Sequence, residues 1–211
     1  MLIKICGVTR REDAEAAIAA GADLVGFVLV PGTVRFVDPS RADWIRGLAG
    51  AATVGVFRDQ PSDHIEELRE RLGLDWVQLH GDEPEEQLAR LGPRVIRRVR
   101  PAGDDTWIAV RRVAAHALPL LDPGAGQGAA WSWADLPAAP PDLSFGVAGG
   151  LRPETVADAV TTLHPALVDV SSGVERSPGI KSSELVAAFI RAAHGAARQA
   201  GIGEDPNLEH T

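Results

Sequence analysis

Lys4, Cys6, His80 and Asp122 are residue types that move protons or make covalent bonds, and each closes a short apolar run. Cys6 is the only cysteine and Lys4 one of two lysines. In a strand, residues two apart share a face, so the thiol and the amine point the same way. That pair suits proton abstraction by a thiolate or Schiff-base formation by the amine. Gln78 and His80 repeat the two-residue spacing, and Asp122 precedes Pro123. Arg35 lies in the loop "PGTVRFV". Two further run ends, "AGG" with Gly149 and Gly150 and "DVSSG" with Asp169, Ser171, Ser172 and Gly173, combine glycine backbone with serine hydroxyls, a composition suited to cradling phosphate. Taken singly, each has a plainer reading: a buried apolar thiol, a turn aspartate, a surface histidine, a solvated arginine, a tight glycine turn.

Their shared placement depends on the elements that carry them. Eight β-rich runs (2–7, 24–29, 53–58, 76–81, 94–100, 117–122, 143–150 and 167–173) alternate with longer stretches, six of them helical in pattern. Ile65, Leu68 and Leu72 make one stripe stopped by Gly73, and Pro84 and Pro153 sit near helix starts. The connection "PGAGQGAAWSWADLPAAPP" is irregular. Alternating strands and helices predict a parallel α/β sheet with right-handed crossovers. Eight repeats favour a single-domain (β/α)8 TIM barrel over residues 1–200, with a loosely ordered tail at 201–211; an open doubly wound sheet is the alternative. In a barrel, the strand ends named above form the active-site face.

Bulk properties narrow the function. A formal net charge of -8 argues against a nucleic-acid surface. One cysteine rules out an intrachain disulfide framework or a multi-cysteine zinc site. No signal-like start and no apolar run of about 20 residues predict a cytoplasmic protein with no membrane partner.

The segments "KICGVT" (4–9), "VGVF" (54–57), "VQLHGDE" (77–83), "LLD" (120–122), "AGGL" (148–151) and "DVSSGVE" (169–175) occur in order over nearly the whole chain. Together they resemble the phosphoribosylanthranilate isomerases of tryptophan biosynthesis. The resemblance implies a (β/α)8 fold and a cofactor-free, metal-free Amadori rearrangement of a small phosphorylated substrate, N-(5-phosphoribosyl)anthranilate, without an obligate protein partner. It implies Cys6 as general base, Asp122 as general acid, Arg35 at the anthranilate carboxylate and Asp169 at the sugar. Gly149, Gly150, Ser171, Ser172 and Gly173 would hold phosphate, and Lys4, Gln78 and His80 would join the substrate site. Lys4 is expected to favour the Cys6 thiolate, while Asp122 needs to stay protonated. The segment 125–133 departs from the family's "GGTGKTFDW", "TVRFV" replaces "SPRYV", and "VGVFRD" replaces "VGVFVN", which leaves Arg58 and Asp59 without a role. An aldolase-type lyase using Lys4, a phosphate-binding protein without turnover, and an isomerase of a related aminoaldose are the competing readings.

Overall fold

The computed structural model describes residues 1–124, 133 and 136–203. Eight parallel strands close into a barrel in chain order: β1 (Leu2–Ile5), β2 (Leu24–Val28), β3 (Ala52–Phe57), β4 (Trp76–Leu79), β5 (Val95–Val99), β6 (Leu118–Leu121), β7 (Gly146–Val147) and β8 (Leu167–Val170). The closed order settles the barrel over the open sheet. Among the described residues, six α-helices pack outside: α1 (Arg11–Ala19), α2 (Ser62–Leu72), α3 (Glu85–Leu91), α4 (Thr106–Ala114), α5 (Val156–Leu163) and α6 (Ser183–Gln199). The expected stripe of α2 buries Ile65, Leu68 and Leu72, and Gly73 ends the helix at φ 64°.

The eight repeats are not uniform. Between β2 and β3 the chain makes only two 3-10 turns, Pro39–Arg41 and Asp43–Gly47. Asp38 caps the first by accepting from Ser40 N–H at 2.9 Å, and Gly47 and Gly50 break any continuation. After β8 comes a 3-10 turn and then a hairpin, β9 (Glu175–Ser177) and β10 (Ile180–Lys181), which the sequence pattern did not signal. Most of the irregular segment 123–140 and the tail beyond Gly203 lie outside the described residues.

Alternation along the strands makes two cores. One fills the space between sheet and helices, from Ile3, Phe27, Val77 and Val168 outward to helix residues such as Phe189. The other is the barrel interior, where Leu24, Val54, Trp76, Ile96, Leu118 and Leu167 form an apolar floor. Above that floor the interior turns polar. Lys4 is fully buried yet donates to both oxygens of Asp169 at 3.1 and 3.0 Å. The two are register partners across the β1–β8 seam that closes the barrel. A buried ion pair is costly to break from one side, because the remaining charge has no water. Lys4→Met should therefore destabilise the fold by about 3–5 kcal/mol in urea titration. Adding Asp169→Leu to it should recover most of that loss; a double variant as weak as the single would show that the pair's charges are not the cause.

Candidate active site

The strands end on one face around a cleft of about 900 Å³. Each wall residue continues an inward-facing row: Lys4 then Cys6 on β1, Gln78 then His80 on β4, Leu120 then Asp122 on β6, Asp169 then Ser171 on β8. Of the residues singled out from sequence, Cys6, Arg35, Gln78, His80, Asp122, Asp169, Gly149, Gly150, Ser171 and Ser172 line this cleft. Lys4 lies beneath it, sealed from solvent, and Gly173 stands behind the wall.

Cys6 follows β1 directly, its N–H still bonded to Val170 O at 2.8 Å, and Gly7 then turns the chain away at φ 69°. Burial pushes the Cys6 thiol pKa up. Lys4 pulls against that shift, but Asp169 adds to it, and the balance stays raised. Lys4 thus acts on the thiol in the expected direction, against burial and the negative charge of Asp169. Burial would lower the Lys4 pKa, yet Asp169 and Cys6 outweigh it and keep the amine charged.

Across the cleft, Asp122 Oδ1 accepts from Gly124 N–H at 2.7 Å, and Oδ2 faces His80 Nε2 at 3.8 Å. Burial lowers the His80 pKa to about 4 against the pull of Asp122, with help from the positive charges of Arg98, Lys4 and Arg58, and keeps the imidazole neutral. Gln78 Nε2 lies 3.4 Å from His80 Nδ1. With Nδ1 accepting, the imidazole proton sits on Nε2 and points toward Asp122. Gln78 Oε1 is buried without a hydrogen-bond partner among the described residues.

Arg35 reaches the cleft while its Nε and one Nη donate to Glu175 at 2.8 and 2.7 Å. Lys181 donates to the same carboxylate at 2.9 Å and to Ser171 O at 3.1 Å. Burial would raise the Glu175 pKa, but Arg35 and Lys181 hold it below its ordinary value. The sequence reading missed Glu175 and Lys181; the one signal available was that Lys181 is the second of only two lysines.

The ends of β7 and β8 supply the anion site. Gly149 and Gly150 adopt φ 91° and 71°, a run of positive φ that side chains resist. The N–H groups of Gly149, Gly150, Ser172 and Gly173 have no acceptor among the described residues. Gly173 is glycine for a different reason: an added Cβ would sit 1.9 Å from Leu151 O, so its bare backbone lets the two loops approach. Among the described residues, no group of three or more His, Cys, Asp or Glu side chains is placed to hold a metal ion.

The sequence profile of the N-(5'-phosphoribosyl)anthranilate (PRA) isomerase family matches residues 3–192. An N-(5'-phosphoribosyl)anthranilate isomerase of Geobacter sulfurreducens is 43% identical over 204 residues, 92% of this chain and 98% of the relative. The phosphoribosyl anthranilate isomerase structure from Thermus thermophilus is 35% identical, with a TM-score of 0.77 over 92% of this chain and 99% of that one. A phosphoribosyl anthranilate isomerase in complex with reduced 1-(o-carboxyphenylamino)-1-deoxyribulose 5-phosphate is 32% identical, with a TM-score of 0.76 over 92% of this chain and 100% of that one.

Two outcomes follow from the geometry. Alkylation of Cys6 by iodoacetamide should speed up with pH through an apparent pKa above the ordinary thiol range, since burial disfavours the thiolate. Asp169→Asn, which removes the neighbouring negative charge and releases Lys4 toward the sulfur, should shift that midpoint to lower pH. An unshifted midpoint in a folded variant would remove Asp169 from the electrostatics of the thiol. Gly173→Ala should force the β7 and β8 loops apart, lowering Tm and raising the inhibition constant for inorganic phosphate by about tenfold; calorimetry and inhibition kinetics measure the two effects.

Proposed function

The chain belongs to the N-(5'-phosphoribosyl)anthranilate isomerase family, and from that premise we propose how its own residues carry out the reaction. The activity is the conversion of N-(5'-phosphoribosyl)anthranilate into 1-(2-carboxyphenylamino)-1-deoxyribulose 5-phosphate, a step of tryptophan biosynthesis. Asp122 donates a proton to the ribose ring oxygen as the C1–O bond breaks, leaving an open-chain protonated imine. The Cys6 thiolate then removes the proton from C2. The resulting enolamine takes a proton at C1 and settles as the ketone.

The observation that carries this reading is one cleft holding three unlike walls. A thiol closes β1, the Asp122 carboxyl group closes β6, and between them β7 and β8 present backbone N–H groups with no acceptor among the described residues. Phosphate held by Gly149, Gly150, Ser172 and Gly173 leaves the sugar between base and acid, with Asp169 beneath its hydroxyls. Ser171 and Ser172 add hydroxyl donors. Arg35 takes the anthranilate carboxylate with the guanidinium edge that Glu175 does not occupy. Gln78 Oε1, buried and unpaired, accepts from a substrate N–H or O–H, and His80 keeps Asp122 in place.

Lys4 acts from below. Its charge steadies Asp169 and opposes the rise in the Cys6 pKa, and it never meets substrate. That arrangement argues against the aldolase reading, since a sealed and protonated amine is no nucleophile. No helix of the described residues is long and apolar enough to cross a membrane, in keeping with a cytoplasmic biosynthetic enzyme acting on a small phosphorylated molecule. Residues 1–200 serve as one catalytic domain, and the tail from 201 stands outside the chemistry.

The test is the disappearance of substrate fluorescence. Wild-type protein should consume N-(5'-phosphoribosyl)anthranilate, and Cys6→Ser and Asp122→Asn should each lower kcat by about 10²–10⁴ while keeping the wild-type circular dichroism. Turnover by a folded Cys6→Ser variant within a few-fold of wild type would remove Cys6 as the base.

A further inference from the structure

The turn after β3 places a cation in the cleft that the acid–base scheme leaves unused. Val54 and Val56 face the barrel interior, and Arg58 extends the same row into the cleft, which it lines. Its backbone is tied down on both sides. Arg58 N–H donates to Gln60 Oε1 at 3.3 Å, and Gln60 Nε2 donates to Leu29 O at 3.2 Å, which anchors the turn to the end of β2. Asp59, at φ 53°, gives its N–H to Glu83 at 3.0 Å and accepts from Asp82 N–H at 2.7 Å, which anchors it to the end of β4. The Arg58 guanidinium itself has no hydrogen-bond or ion-pair partner among the described residues. Arg35, Arg97 and Arg100 each hold a carboxylate, and Arg98 donates to the carbonyls of Asp122 and His80.

We propose that Arg58 is a second anchor for the substrate carboxylate, working beside Arg35. The inference rests on the isomerase reading and assigns the aromatic end of that substrate a specific residue. The substrate is anionic at both ends. Its phosphate belongs to the free N–H groups at β7 and β8, and in a ring of eight strands β3 lies directly across from β7. The carboxylate therefore reaches the side where β2 and β3 end. Arg35 is already half used there, because two of its donors and much of its charge are matched by Glu175. Lys181 shares that carboxylate, so the cluster keeps some positive charge, but Arg35 offers a carboxylate only the donors that Glu175 leaves open. Arg58 adds a second cation with all its side-chain donors open, carried on a turn whose backbone is anchored to the ends of β2 and β4. Its charge already reaches the neighbouring His80 imidazole, within the same cleft.

The test compares two substrates, N-(5'-phosphoribosyl)anthranilate and N-(5'-phosphoribosyl)aniline, which lacks the carboxylate. For the first, Arg58→Gln should raise KM about tenfold with kcat within about twofold, and Arg58→Lys should recover part of the loss. For the aniline, Arg58→Gln should leave KM unchanged. An unchanged KM for the anthranilate, or an equal rise for both substrates, overturns the assignment; the equal rise would place Arg58 in the general field around the phosphate. Wild-type protein that turns over neither substrate sinks the isomerase reading and this inference with it, an outcome separable from the others because it precedes any substitution.

Discussion

The ion pair between Lys4 and Asp169 is the contact on which the rest of the site depends. A fully buried ammonium is tolerable only with a carboxylate against it, and the carboxylate stands on the strand that closes the barrel. The same pair separates the apolar floor of the interior from the reactive layer above. It also sets the terms for the thiol: Cys6 sits within the field of both members, and their opposed effects leave burial to decide its protonation. The closing of the barrel seam and the start of the polar layer above its apolar floor thus meet in one contact.

The reactive layer is organised by charge around the ring. Backbone N–H groups at β7 and β8 make a neutral but strongly polar anion site, set by glycine conformations rather than by cations. On the far side two arginines line the cleft, Arg35, which holds Glu175, and Arg58. Between the two sides stand a thiol, a neutral imidazole and an aspartate. A dianionic phosphate and a carboxylate on the same molecule have one sensible orientation in such a field, so the cleft selects direction before any proton moves.

Much of this was readable from the chain. Runs rich in Val, Ile and Leu located each of the eight barrel strands, because a parallel barrel buries both faces. Strand alternation put Lys4 with Cys6 and Gln78 with His80 on common faces, while Asp122 and Ser171 were marked only as strand ends. The boundaries ran long where glycine turns the backbone: 2–7 became Leu2–Ile5 before Gly7, and 143–150 shrank to Gly146–Val147 before Gly149 and Gly150. Partnerships between distant residues were not readable. Nothing near Lys4 shows that Asp169 takes its charge, and nothing near Arg35 announces Glu175. The β9–β10 hairpin is too short and polar to stand out from a loop.

The closing seam also makes one strand's burial conditional on a distant one. The residues of the Lys4–Asp169 pair lie 165 positions apart, and the N-terminal amine of Met1 donates to Gly203 O, 202 positions away. Without β8 in place, burying β1 would strand the ammonium of Lys4 with no carboxylate against it. Pairing β1 with β8 is also a long-range contact, with a larger loop-closure cost than pairing neighbouring repeats. Lys4 thereby ties the burial of the first barrel strand to the presence of the eighth.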